Sequence, residues 1–253
     1  MKPIQILQLY PKDMNLYGDW GNTLTLQKRL EWRGIPVEVV DHNPGDSTDF
    51  RAADIILGGG GQDAGQAAIQ ADLLAHSEIL RELVADGMPM LMICGLYQMF
   101  GRRFLTGEGT EIRGIGVIPA ETRAMEARLI GNITLENAEF GTIVGYENHS
   151  GQTFLDAGVK PFGTVKLGAG NNDADGVEGA WVKNLIGTYL HGALLPRNPQ
   201  VADYLLSKAL ERRAVTGDLD ELEGYSAETG LLPLTEVDQI ARSAHEDALK
   251  RSR

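Results

Sequence analysis

The chain has one cysteine and five histidines to offer as nucleophile and base. Cys94 closes a short apolar run, Met90-Leu-Met-Ile, and is followed by Gly95 and a helix-like segment through Gln98. A thiol at a strand-to-helix turn sits at the carboxyl edge of a sheet, where helix-terminal N–H groups favour a thiolate and can hold an oxyanion. A lone cysteine is also among the most buried residue types, so the turn by itself is equally compatible with a core thiol. His191 follows the strand-like Asn184–Leu190, and the ends of strands are where catalytic groups of α/β sheets gather. His149, in the polar segment Gly145–Thr153, competes with it. His42, His76 and His245 read as solvated. A Cys–His pair needs convergence in space, not proximity in sequence. No histidine–carboxylate spacing suggests zinc, so no metal is expected.

The elements that would position these groups alternate. Ile4–Tyr10, Pro36–Val40, Asp54–Leu57 and Met90–Ile93 read as strands; Thr23–Arg33 and Ile79–Asp86 read as helices. Such alternation implies a mostly parallel, twisted sheet flanked by helices, an α/β fold. The third strand runs into Gly58-Gly59-Gly60-Gly61. This loop lacks the spacing of a dinucleotide fingerprint, and the chain has no G-x-x-x-x-G-K-[ST]. Glycine lets backbone N–H groups approach a ligand closely, and this loop and Cys94 should share one edge of the sheet, so a joint oxyanion hole is expected. Farther on, Ile112–Pro119 and Arg128–Leu135 are strand-like, Val165–Gly179 is turn-rich, and Val201–Arg213 is a helix. The pattern Thr235-x-x-Asp238 caps a helix over 235–250, with Val237, Ile240, Ala241, Ala244 and Ala248 on one face.

The net charge of −12 opposes a nucleic-acid partner. With one cysteine, no disulfide framework and no membrane-length apolar run, a cytoplasmic chain without membrane insertion is expected.

The segments Ile93-Cys94-Gly95-Leu96-Tyr97-Gln98 and Tyr189-Leu190-His191-Gly192 resemble the class I glutamine amidotransferases of the cobyric acid synthase-like branch. Leu16–Asn22, Gly58–Asp63, Glu121-Thr122, Arg128–Asn132, Glu147–Gly151 and His191–Pro199 extend the resemblance to glutaminase subunits that work with a Mur-ligase-like subunit of the MurT kind. The resemblance covers 1–213, taken as the amidotransferase domain, and leaves 214–253 as a C-terminal extension. It implies Cys94 as nucleophile, His191 as base and acid, Gly60 and Gly95 as oxyanion donors, and Arg128, Gln98, His149 and Ser150 around the substrate. It implies L-glutamine as substrate, no cofactor in this chain, and ATP and Mg on the partner of a heterodimer that amidates the D-glutamate α-carboxylate of lipid II. A cobyrinate-type amidotransferase subunit and a non-catalytic doubly wound binding module are the alternatives. Two departures stand out. Met92 and Leu96 occupy positions that are commonly glycine around the nucleophile, and Ala193 stands where most class I members have glutamate. The acid that orients His191 is therefore expected either from elsewhere in this chain or from the partner, with the partner favoured.

Overall fold

The computed structural model describes residues 2–216, 224–226 and 228–251. A six-stranded sheet forms the centre. Its strands are β1 (Ile4–Leu9), β2 (Val37–His42), β3 (Ile55–Gly58), β4 (Met90–Ile93), β11 (Ala180–Val182) and β12 (Leu185–Thr188), in the order β11-β12-β4-β3-β1-β2. All neighbours are parallel except β11 with β12. Every residue of β3 and β4 is buried, as strands covered on both faces require.

Two helix groups cover this sheet. One comprises α1 (Trp20–Glu31), α5 (Leu194–Arg197) and α6 (Pro199–Thr216), which pack on one another, α1 against β1 and α6 against β3. The other holds α2 (Asp63–Ala75), α3 (Ser77–Ala85) and α4 (Gly95–Phe100), with α4 against β4 and β12.

A second, largely antiparallel sheet stands beside it. It contains β5 (Arg103–Leu105), β6 (Glu111–Arg113), β7 (Ala120–Asn137), β8 (Gly141–Leu155), β9 (Gly163–Leu167) and β10 (Val177–Glu178). The long hairpin β7–β8 shifts register between Ala124 and Leu129. The segment 145–153, expected as a loop, therefore lies within β8, and only the ends of the turn-rich 165–179 join the sheet.

The C-terminal part adds the two-stranded β13 (Tyr225–Ser226) and β14 (Gly230–Leu231), then α7 (Thr235–Arg251). Of the expected extension, 217–223, 227, 252 and 253 lie outside the described residues. The expected helix is present, but the expected face is only partly inward. Ala241 is buried and Val237 and Ala248 are half-buried, whereas Ile240 and Ala244 are exposed. Charge fixes the helix more than apolar contact does. The buried Arg29 guanidinium bonds Asp203 of α6 and Asp238 of α7, each at 2.8 Å, and His245 Nδ1 meets the Arg197 carbonyl at 2.9 Å.

Candidate active site

Cys94 occupies the turn between β4 and α4 with φ +49°, in the left-handed region that a non-glycine residue rarely adopts. Its N–H donates to the Thr188 carbonyl at 2.8 Å, which ties the turn to the end of β12. Close contact forbids side chains around it. A Cβ on Gly95 would stand 2.6 Å from Met14 Cε, and one on Gly60 would stand 3.1 Å from Cys94 Cβ and 2.9 Å from His191 Cε1. Met92 and Leu96, bulky where glycine was expected, are accommodated by Gly58. A Cβ there would meet Leu96 Cδ1 at 2.1 Å and Met92 Sδ at 3.0 Å. The glycine loop thus makes room for an elbow built with only one glycine after the cysteine.

His191 lies just past β12, where its N–H donates to the Tyr146 carbonyl of β8 at 2.8 Å. Its ring is buried beneath Tyr17, with ring centroids 4.4 Å apart. Nδ1 faces Asp19 Oδ1 at 3.4 Å, while Nε2 has no hydrogen-bond partner among the described residues. Burial alone would lower the imidazole pKa. The charge of Cys94, with the contacts to Asp19 and Cys94, outweighs burial and raises it to about 10.

The acid that faces His191 comes from this chain, not from the favoured source, a partner: it is Asp19. It sits at the N-cap of α1, yet its side chain makes no cap hydrogen bond. It is buried, and its second oxygen, Oδ2, accepts from the Gly60 N–H at 2.7 Å. Gly60, expected as an oxyanion donor, lies between Cys94 and His191, but its N–H is directed to Asp19. The Gly61 nitrogen lies 3.1 Å from where a Gly95 Cβ would be, and neither the Gly61 nor the Gly95 N–H bonds another loop or side chain among the described residues. Backbone N–H groups without a partner beside a nucleophile are the kind of donor an oxyanion hole uses.

A cavity of about 700 Å³ opens over Cys94, lined by Tyr17, Gly61, Gln98, Arg128, His149 and Ser150, among others. The Arg128 guanidinium bonds Asn148 Oδ1 at 2.7 Å and Tyr17 Oη at 3.0 Å. Both partners are neutral, so the arginine's charge is free for a carboxylate. His149 is buried and stacks on Tyr189. Burial, with the nearby His191 and Arg128, outweighs its bond to Gly151 and depresses its imidazole pKa to about 4. Its Nδ1 donates to the Gly151 carbonyl at 2.7 Å, so Nε2 is left as an unpartnered acceptor. Gln98 lines the cavity and is also tied into its wall. Its Oε1 accepts from Gln66 at 2.8 Å and its Nε2 donates to Tyr189 Oη at 3.1 Å, so both ends already hold the wall.

Behind this wall Glu178 is completely buried. It accepts from Thr188 Oγ1 at 2.9 Å and from the Tyr189 N–H at 2.6 Å, which supports the chain as it leaves β12 for His191. Burial is the main reason its carboxyl pKa is pushed up to about 8.

His42, expected at the surface, is buried at the end of β2. With Asp72 and His76 it brings three possible metal-binding atoms within 4.8 Å. Asp72 is nonetheless already bonded by Tyr10 Oη at 2.9 Å, His42 Nε2 at 2.9 Å and the Gly45 N–H at 3.1 Å, which accounts for the cluster as a hydrogen-bonded hub.

Tyr17 and Asp19 lie in the segment Leu16–Asn22, and their place at the site emerges only in three dimensions. The available signal was an aspartate within a glycine- and aromatic-rich stretch just before a helix.

Residues 5–199 match the CobB/CobQ-like glutamine amidotransferase domain. The chain is 43% identical over 223 residues, covering 88% of itself and 91% of the relative, to the lipid II isoglutaminyl synthase (glutamine-hydrolyzing) subunit GatD of Staphylococcus aureus strain N315. It is 38% identical to the protein of the same description in Streptococcus pneumoniae strain ATCC BAA-255 / R6, covering 83% of this chain and 82% of that one. A crystal structure of a glutamine amidotransferase superposes with TM-score 0.56 at 16% identity, over 80% of this chain and 98% of the other, which supports the fold. With the alternating sheet, the strained cysteine turn and the facing histidine in place, the chain belongs to the CobB/CobQ-like glutamine amidotransferase family.

Proposed function

We propose that this chain hydrolyses L-glutamine to glutamate and ammonia and delivers the ammonia to a Mur-ligase-like subunit. The observation that carries the reading is the convergence of the strained Cys94 turn with His191, beside a pocket that Cys94 lines together with Arg128, which has no carboxylate partner among the described residues. Arg128 holds the α-carboxylate of glutamine. The Cys94 thiolate attacks the side-chain carboxamide carbon, and its oxygen, now negative, is received by the Gly61 and Gly95 N–H groups. His191 Nε2 gives its proton to the departing nitrogen. The C–N bond breaks, and ammonia and a thioester form. The neutral imidazole then takes a proton from water as the oxygen attacks the thioester; glutamate leaves, and the proton returns the pair to its starting state.

The relatives described as subunits of a lipid II isoglutaminyl synthase support a two-subunit assembly. In it, the Mur-ligase-like subunit would bind ATP and Mg, activate the D-glutamate α-carboxylate of lipid II and accept the ammonia. This chain would work from the cytoplasm; among its described residues no helix is long and apolar enough to cross a membrane. The test is a glutaminase assay of the chain alone and with a Mur-ligase-like subunit, with amidated lipid II as the second readout. Ammonia release that depends on Cys94, together with lipid II amidation only in the mixture, supports the reading. Ammonia delivered to a cobyrinate acceptor instead would favour the alternative amidotransferase.

A further inference from the structure

We infer that Asp19 is the positioning carboxylate of this site, one oxygen orienting His191 and the other fixing the Gly60 peptide, so that base and oxyanion loop are set by a single side chain. This rests on the proposed glutaminase reading and adds to it the source of the orienting acid.

The case begins with what Asp19 does not do. Aspartate at an N-cap ordinarily accepts from the N–H groups of its own helix's first turn, for about 0.5–2 kcal/mol. Asp19 occupies that position and makes no such bond. The N–H groups such a cap would serve are bonded to backbone, Gly21 to the Gly18 carbonyl at 2.9 Å and Asn22 to Asp19's own carbonyl at 2.9 Å. The carboxylate turns inward, is buried, and divides its oxygens between Gly60 N at 2.7 Å and His191 Nδ1 at 3.4 Å. A buried charge is costly unless paired and hydrogen-bonded, and these two contacts supply both.

Each contact has a chemical consequence. A carboxylate on Nδ1 keeps a proton there, so Nε2, the nitrogen without another partner, is the one that exchanges protons with Cys94 and the substrate. The Gly60 bond fixes a peptide wedged between Cys94 Cβ and His191 Cε1. With that peptide held, the next N–H, of Gly61, is set beside Gly95. Nor does position 193 offer a competing acid. Ala193 Cβ lies 2.7 Å from where a Gly21 Cβ would be, so α1, the helix that brings Asp19, closes the space beside it.

The test compares wild type with Asp19→Asn and Asp19→Ala in steady-state glutaminase kinetics, thermal melting and the rate of Cys94 alkylation by iodoacetamide at neutral pH. Asparagine keeps an oxygen for Gly60 but turns an amide N–H toward His191, which favours the wrong tautomer. Asp19→Asn should melt like wild type, lose about 10-fold or more in kcat with KM little changed, and alkylate more slowly. Asp19→Ala should lose more, because Gly60 is released as well. An Asn variant with wild-type kcat and alkylation rate would overturn the inference. So would a loss confined to KM, or full restoration by an added Mur-ligase-like subunit. If wild type itself releases no ammonia, the glutaminase reading fails, and the alkylation rates still decide whether Asp19 governs the Cys94–His191 pair.

Discussion

His149 lies flat against Tyr189, with ring centroids 3.6 Å apart and planes 6° from parallel. The stack holds the imidazole edge-on to the pocket. Since Nδ1 is committed to the Gly151 carbonyl, Nε2 can only accept, and the N–H groups of glutamine are its natural complements. His149→Ala should raise KM for glutamine by about 10-fold, the value of one buried hydrogen bond, and lower kcat less. Steady-state kinetics measure both. A larger fall in kcat than His191→Ala causes would exchange the two assignments.

Cys94→Ala should abolish ammonia release and leave the fold intact, because a smaller side chain still fits a turn closed by Gly95. A glutamine-analogue electrophile should label wild type once, and peptide mapping should place the label on Cys94. Labelling of the alanine variant would point to another nucleophile.

His191→Ala should cost ~10²–10⁴-fold in turnover. The same histidine should mark the pH dependence of stability. Its folded pKa, about 10, lies above the unfolded value near 6.5, so its contribution is complete below about pH 6.5 and is lost as pH rises through about 10. Melting temperature should therefore fall over that window. The fall should be smaller in Cys94→Ala, since the charge of Cys94 is the largest influence raising the pKa. Parallel melting curves for the two proteins would contradict this coupling.

Arg128→Ala should raise KM for glutamine, and Arg128→Lys should recover only part of the loss. An ammonium cannot reproduce the planar fork that meets Asn148 and Tyr17 while leaving charge for the substrate. Unchanged KM in both variants would remove Arg128 from substrate capture.

Glu178→Ala should destabilise the chain by roughly 2–5 kcal/mol, because it strands the Tyr189 N–H and Thr188 hydroxyl in the core. Chemical denaturation provides the measurement. Wild-type stability should also decline as pH rises from about 4.5 toward 8 through this group, because the folded carboxyl retains a proton that the unfolded one gives up. Glu178→Gln should flatten that slope.

The central sheet was legible because runs such as Ile55-Ile-Leu57 and Met90–Ile93 are uniformly apolar, the pattern of strands covered on both faces. Cys94 and His191 were legible because each ends such a strand. The β7–β8 hairpin was not. Between Arg123 and Arg128 its residues are mostly exposed and its register shifts, so hydrophobic alternation breaks where the strand continues. Helix α2 was missed for a related reason: only Gln66, Ile69 and Leu73 are buried along it, too sparse an apolar stripe to register. Asp19 was hidden differently. An aspartate before a helix has a sufficient local explanation as a cap, and its true partners, Gly60 and His191, are distant in the chain.

The backbone bridge between Tyr146 and His191 joins the antiparallel sheet to the catalytic strand end. The strand that carries His149 and Ser150 is consequently tied by its backbone to the chain at His191. The Thr106–Thr110 turn between β5 and β6 lines the same pocket. There Gly109 N–H closes on the Thr106 carbonyl at 3.0 Å, and Thr106 N–H on the Thr110 carbonyl at 2.9 Å. The pocket wall is thus drawn from two parts of the antiparallel sheet, one bonded to the chain at His191 and the other a turn between β5 and β6.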